Sequence, residues 1–394
     1  MDTLRLRKGE ERRLLAGHLW VFSNEVDVKA TPLTAFEAGQ GVLIESSRGE
    51  PIGHGYVNPH SLIAARLCSR GTARPFDATL IRDRLVAALA LRERFYDKPF
   101  YRLVHSEGDW LPGVVIDRYG DVLVMQVNTA GMEQQLENVL AELDALISPS
   151  VILLRNDSAV RELENLERYV KVVKGALPQR VEVQENGLRF FASLDSGQKT
   201  GWFYDHRENR AALQSLCEGK RVLDVFSYLG GWALNAAAGG AAEVLAVDAS
   251  APALALATEN AALNGFADRF ATRCGDAADV LRELAQEARQ FDVVVLDPPA
   301  FIKRRKDHKA GLAQYELINR LGMALLADNG ILVSASCSQH LSGADLNGAM
   351  MRAARKNRSS VQILANAGQG PDHPINAAMP ETAYLKSVTA RLIR

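Results

Sequence analysis

The chain has no apolar run near the ~20 residues that span a bilayer, and its start, MDTLRLRKGEERR, is polar and alternating, unlike a secretory leader. A cytoplasmic protein is the expectation. It has only four cysteines, Cys68, Cys217, Cys274 and Cys337, and no CxxC, which argues against a disulfide framework or structural zinc and leaves each thiol reduced. GxGxxG is missing too, so the dinucleotide fingerprint is not met. The net charge is only -1, giving no global attraction to nucleic acid. Repeats and low-complexity tracts are absent. What remains is an ordinary globular composition, 47% hydrophobic and 24% charged, in 394 residues, enough for two or three domains.

Three regions follow from the patterning. Residues 1–73 read as short strands with glycine turns, among them GVLIE and GHGYV around Arg48–Pro51, and predict a small β-barrel. Residues 74–185 open with an amphipathic helix, PFDATLIRDRLVAALALRERF. A hairpin turning at Tyr119-Gly120-Asp121, a second helix and more strand follow, so this region predicts a small α+β unit. From 186 to 394 apolar strands alternate with helices: RVLDVFS, EVLAVDAS, FDVVVLDPP and GILVSAS each precede a helical stretch. That alternation predicts an α/β domain with a parallel, doubly wound sheet, whose ligands bind at the carboxyl ends of the strands.

Four acids fall at or near those ends: Asp224, Asp248, Asp276 and Asp297. Each alone is compatible with a strand-end or helix cap. Four in order line one edge of a doubly wound sheet. LDVFSYLGGWAL joins a strand to a helix through Gly230 and Gly231, whose backbone can approach a ligand. Asp248 suits ribose hydroxyls and Asp276 an adenine amino group. In LDPPAF, Pro298 and Pro299 stiffen a turn while Phe301 can stack on a flat base and Asp297 can hydrogen-bond it.

LDVFSYLGG, VLAVDAS, CGDA and LDPPAF together resemble the four motifs of class I S-adenosylmethionine-dependent methyltransferases. Cys337, in SASCSQH, follows the strand after LDPPAF and is expected to share a pocket with Asp297. Cytosine is a poor nucleophile at carbon 5, and a thiolate added to carbon 6 activates it. Cys68, Cys217 and Cys274 are expected to be buried small hydrophobes.

More closely, the chain resembles the RlmI-type family of 23S ribosomal RNA 5-methylcytosine methyltransferases over nearly its whole length. RLRKGEERRLLAGHLWVFSNEV is similar to the start of their RNA-binding PUA domain, EGDWLPGVVIDRYGD to their central domain, and DSGQKTGWFYDHRENR, LDPPAF and SCS to their catalytic domain. The resemblance implies Cys337 as nucleophile and Asp297 on the cytosine edge. Pro298, Pro299, Phe301, Lys303, Arg304 and Arg305 would lie toward the substrate. It further implies that Lys199, Thr200, Tyr204, Asp205 and Arg207 fold over S-adenosylmethionine. Asp224, Phe226, Ser227, Tyr228, Gly230, Asp248, Ala249, Asp276, Ala277 and Asp297 would line it. The expected partner is RNA, with no metal and no membrane, acting as monomer or homodimer. One departure is that many RNA 5-methylcytosine enzymes of other families carry a second cysteine in the fourth motif, where this chain has DPPAF.

The basic run Lys303, Arg304, Arg305, Lys306 and Lys309 would suit RNA phosphates or simply solvent, as would Arg352, Arg355, Lys356 and Arg358. On the barrel, Arg5, Arg7, Lys8, Arg12 and Arg13 could place RNA. Three other readings stay open. A methyltransferase acting on a purine amine would not need the thiol. A non-catalytic RNA-binding protein would not bind S-adenosylmethionine. A nicotinamide oxidoreductase would be expected to carry GxGxxG.

Overall fold

In the computed structural model, which describes residues 2–194 and 201–394, the first sheet forms from the alternating N-terminal segments. Its strands lie in the order Asp2–Arg5, Gly41–Glu45, Pro51–Val57, Ile63–Leu67 and Trp20–Phe22. Leu4, Leu19, Val21, Val42, Ile44 and Leu67 are buried on its inner face, which is the consequence of the period-two pattern. Gly53 and Gly55 are required here: a Cβ would meet the Ser69 carbonyl oxygen at 2.0 Å and the Arg66 carbonyl oxygen at 1.9 Å.

A second five-stranded sheet runs Tyr169–Lys174, Val151–Asn156, Val122–Val127, Val114–Tyr119 and Phe100–His105. The helices Ala78–Glu93, capped by Asp77, and Leu136–Ile147 add Leu80, Ile81, Leu85, Val139 and Leu143 to its core. Charged groups are buried there in pairs. Arg92 holds Asp109 through two bonds of 2.6 and 2.7 Å, and Arg102 holds Asp117 through two of 2.9 Å.

The chain divides into two compact units, and neither is one continuous stretch. The first holds both sheets, the described residues of 193–204, and Pro371–Thr382. Asp372 in that last segment gives its backbone carbonyl to Arg92 and its carboxylate to the Arg102 N–H. The second unit takes 182–192, 205–370 and 383–394.

The second unit is built on a seven-stranded sheet. In chain order its strands are β1 Arg221–Val225, β2 Glu243–Asp248, β3 Phe270–Cys274, β4 Phe291–Leu296, β5 Leu326–Ser336, β6 Ser360–Ala367 and β7 Lys386–Ile393. They lie in the order 3-2-1-4-5-7-6. β3, β2, β1, β4 and β5 are parallel, as their apolar runs predict. The expected parallel sheet stops there, because β7 is antiparallel to both β5 and β6. A parallel strand needs a crossover, usually a helix, and the only helix between β6 and β7 is the single turn Pro380–Thr382. Between β1 and β4 the chain order reverses, which is where such a sheet opens a crevice.

Candidate active site

β1 ends in a strained turn. Phe226 and Tyr228 both take the left-handed backbone region, with φ of +68° and +51°, and Gly230 follows at +83°. Such backbone costs about 1–3 kcal/mol per non-glycine residue and persists only where neighbours fix it. Here the Ser227 N–H donates to the Val247 carbonyl and the Tyr228 N–H to Asp248 Oδ2 at 2.9 Å. The helix Gly231–Ala238 starts immediately beyond, with Ala233 N–H donating to Asp224 Oδ2 at 3.0 Å.

Asp224 is fully buried beneath this turn. Burial, with Asp297 and Asp248 adding to it, pushes its carboxyl from 3.8 up to about 7, against the Ser227 hydroxyl and the Ala233 N–H. The hydrogen bond to its carboxylate from the Ala233 N–H ties Asp224 to the start of the helix beyond the turn. Asp248 stands at the end of β2, half-buried, and each of its oxygens accepts one backbone N–H, from Tyr228 and Ser250. A carboxylate has further lone pairs, so it fits a pair of ribose hydroxyls. Asp276 caps the helix Ala277–Gln286 through Oδ1, which accepts from Ala278 and Asp279, and its exposed Oδ2 meets no protein donor among the described residues. Ala249 is exposed beside Asp248, and Ala277 is buried at the helix start.

Asp297 leaves β4 next to the turn. Trp232 Nε1 donates to its Oδ2 at 3.0 Å, and the buried His206 places Nε2 3.3 Å from its Oδ1. Burial alone would raise the carboxyl, but the facing imidazolium and the indole N–H hold it below its usual value. Burial would lower His206 in the same way, and the carboxylate overturns that and raises it. Each group thus favours the charged form of the other. Neither His206 nor Trp232 is among the expected site residues. Both lie in quoted motifs, but nothing in their spacing points at Asp297.

The register pairs Leu296 of β4 with Ser334 of β5, so Asp297 and Cys337 emerge from the same edge of neighbouring strands. The hydroxyls flanking the thiol are pinned. Ser336 Oγ donates to the Tyr315 hydroxyl at 2.7 Å, which lies 2.8 Å from Ser338 Oγ. Ser338 Oγ also accepts the Ile302 N–H at 3.2 Å, joining the cysteine loop to the loop after LDPP. Phe301 packs edge-on against Tyr315 at 4.9 Å between centroids and against Phe226 at 6.5 Å. One aromatic row thus links the β1 turn to the thiol loop. Pro298 is buried, Pro299 exposed, and Cys337 half-exposed. A cavity of about 490 Å³ opens beyond, lined by Arg305, His308, Gln339, His340, Asp345 and Lys386 among others.

Lys199 and Thr200 lie outside the described residues. Tyr204 belongs to the first unit, where its hydroxyl donates to the Arg118 carbonyl and its ring packs on Tyr119. Asp205 accepts from the Tyr384 hydroxyl at 2.6 Å, and Arg207 faces the buried Glu185 at 3.7 Å; both are buried. Cys274 is exposed, against expectation, because β3 is an edge strand with a largely exposed face; Cys68 and Cys217 are buried. Lys303, Arg304 and Arg305 are exposed, and Arg304 pairs with Asp307 at 3.1 Å. Arg352 and Lys356 are tied to Glu316 on the neighbouring helix. On the first sheet, Arg5 pairs with Glu45 and Arg13 with Glu25, while Lys8 and Arg12 stay exposed.

Among the described residues no helix is long and apolar enough to cross a membrane, and no cluster of three or more metal-ligating side chains is found. Residues 4–70 match the model of a PUA-like domain, and residues 134–385 that of an S-adenosylmethionine-dependent methyltransferase. The chain is 34% identical to ribosomal RNA large subunit methyltransferase I of Escherichia coli O157:H7 and 36% identical to the Aeromonas salmonicida protein of that name. In both cases 98% of each chain is covered. In fold it resembles a putative methyltransferase from Streptococcus mutans, with a TM-score of 0.83 at 22% identity over 99% of this chain and 100% of that one. A putative methyltransferase solved as a complex with SAH gives 0.84 at 21% over the same shares.

Proposed function

This chain belongs to the S-adenosylmethionine-dependent methyltransferase family, with a PUA-like domain preceding the catalytic part, and from that premise we propose that it methylates carbon 5 of a cytosine in 23S ribosomal RNA. In this reading residues 1–73 bind RNA, 74–185 form a central domain, and 186–394 carry the chemistry, in the cytoplasm.

S-adenosylmethionine supplies an electrophilic methyl group. Asp248 would hold its ribose, Asp276 Oδ2 its adenine edge, and the Phe226–Gly230 turn its methionine part. The observation that carries the target chemistry is the thiol of Cys337 at the end of β5, beside the strand that presents Asp297. The Cys337 thiolate would add to carbon 6, forming an S–C bond and moving the ring electrons to carbon 5, which then takes the methyl. Loss of the carbon-5 proton returns those electrons, restores the double bond and expels the thiolate. Asp297, its carboxyl held low by His206 and Trp232, would accept from the cytosine amino group while Phe301 borders the ring. A flipped-out base is needed for this approach, and the exposed Lys303 and Arg305 would meet the flanking phosphates.

The test uses methyl-labelled S-adenosylmethionine and unmodified 23S RNA, with digestion to nucleosides. Wild type should give 5-methylcytosine, and Cys337→Ala should lose on the order of 10⁴-fold in rate. A methylated purine, or an unimpaired variant, refutes the cysteine route and favours transfer to a purine amine.

A further inference from the structure

The thiol loop has a cation built against it that the chemistry above does not use. Lys386 opens β7 and sits opposite Ser336 in the antiparallel register. Its Nζ donates to the carbonyl of Ser338, the residue after Cys337, at 2.8 Å and to the Tyr384 carbonyl at 2.9 Å. An ammonium has three donors. Two are fixed on carbonyls, one of them in the residue after the cysteine.

We propose that Lys386 is a positioning residue for the nucleophile: anchored to the Ser338 carbonyl next to Cys337, its ammonium holds the thiol in the thiolate form before the base arrives. A nearby cation lowers a thiol's proton affinity, and a buried thiol without one is inert. Both situations occur in this molecule. Cys217, buried with no charged group acting on it, is pushed up to about 12. At Cys337 a cation is at hand: burial lowers the proton affinity of Lys386, and a Cys337 thiolate opposes that lowering without reversing it. The other titratable groups facing this loop are Tyr315 on the helix His308–Ala324, whose hydroxyl burial pushes up, and Asp297 at the end of β4, which faces His206 at 3.3 Å. Around the cavity stand Arg305, His308, His340 and Asp345, with Asp345 drawn to His308 and Ser342. Among these, Lys386 is the cation bonded to the residue next to the thiol.

The inference rests on Cys337 being the nucleophile, but its test needs no RNA, so the two can fail separately. In a Cys274→Ala background, which removes the exposed competing thiol, iodoacetamide alkylation of Cys337 is followed across pH by peptide mass. Lys386→Met should move the midpoint of the profile up by about one pH unit and slow alkylation at pH 7 about tenfold. Lys386→Arg should stay within about threefold of wild type, because it keeps the charge. With RNA, kcat should fall in the methionine variant while KM holds. An unchanged alkylation profile overturns the proposal. So does an unchanged profile with a raised KM and a shallower salt dependence, which would make Lys386 a phosphate contact instead. S-adenosylmethionine binding reports folding. If the methionine variant does not bind it, Lys386→Gln, which keeps a donor for the Ser338 carbonyl without the charge, gives the same reading.

Discussion

The interior of the first unit and the carboxyl edge of the seven-stranded sheet both bury charge, and they do so in opposite ways. In the first unit each buried charge meets its match: Arg92 with Asp109, Arg102 with Asp117, Arg66 with Glu164 at 2.8 Å. At the sheet edge Asp224 has one backbone N–H and a carboxyl raised to about 7. Asp297 is held below its usual value by His206 and the Trp232 indole against its own burial, and two residues of the adjoining turn have left-handed backbone. Buried groups that complete one another make scaffolding. Groups left partly satisfied, with shifted protonation and strained backbone around them, mark where something else is meant to bind.

The largest effect should come from breaking a completed pair. Arg92→Ala strands Asp109 and removes the bond to the Asp372 carbonyl, and should cost about 3–5 kcal/mol in urea unfolding. S-adenosylmethionine affinity of the folded protein should not change; a weakened affinity at unchanged stability would erase the distinction. A subtler probe is Asp224→Asn. The folded carboxyl binds its proton more tightly than the unfolded one, so its contribution is complete below about pH 4 and is lost as pH rises to about 7. The wild type should therefore lose up to about 1.4 kcal/mol per pH unit relative to the asparagine variant across that window. Parallel unfolding curves for the two proteins between pH 4 and 7 would show that this acid is as settled as Asp109. The smallest effect belongs to a charge in neither class. Lys303→Ala, on an exposed side chain, should weaken RNA binding a few-fold and reduce the salt slope by about one, with kcat unchanged.

The edge acids were legible in the sequence because apolar strands of the second unit end close to an aspartate, and a parallel sheet aligns those ends. Cys337 was legible for the same reason: it follows one such strand. Their partners were not. Tyr315 comes from mid-helix and Lys386 from the last strand, and only the three-dimensional register brings them to Ser336 and Ser338. The place of Tyr204 in the first unit was not legible, because no feature of WFYDHR shows that the boundary between units falls after it. Cys274 looked buried because a strand's position in the sheet, centre or edge, is not written in the strand. The antiparallel β7 was hidden likewise, since SVTARLI reads the same in either direction of pairing.

The interrupted path of the chain has a consequence in time. The first unit contains residues from the amino terminus and also Pro371–Thr382, whose Asp372 closes on Arg92 and Arg102. A ribosome releases residues in order, so the first unit cannot be finished until residues 371–382 have emerged. Throughout synthesis Arg92 waits for a partner carbonyl 280 positions downstream. The nascent chain must therefore carry an incomplete first unit while residues 205–370 of the second are being made.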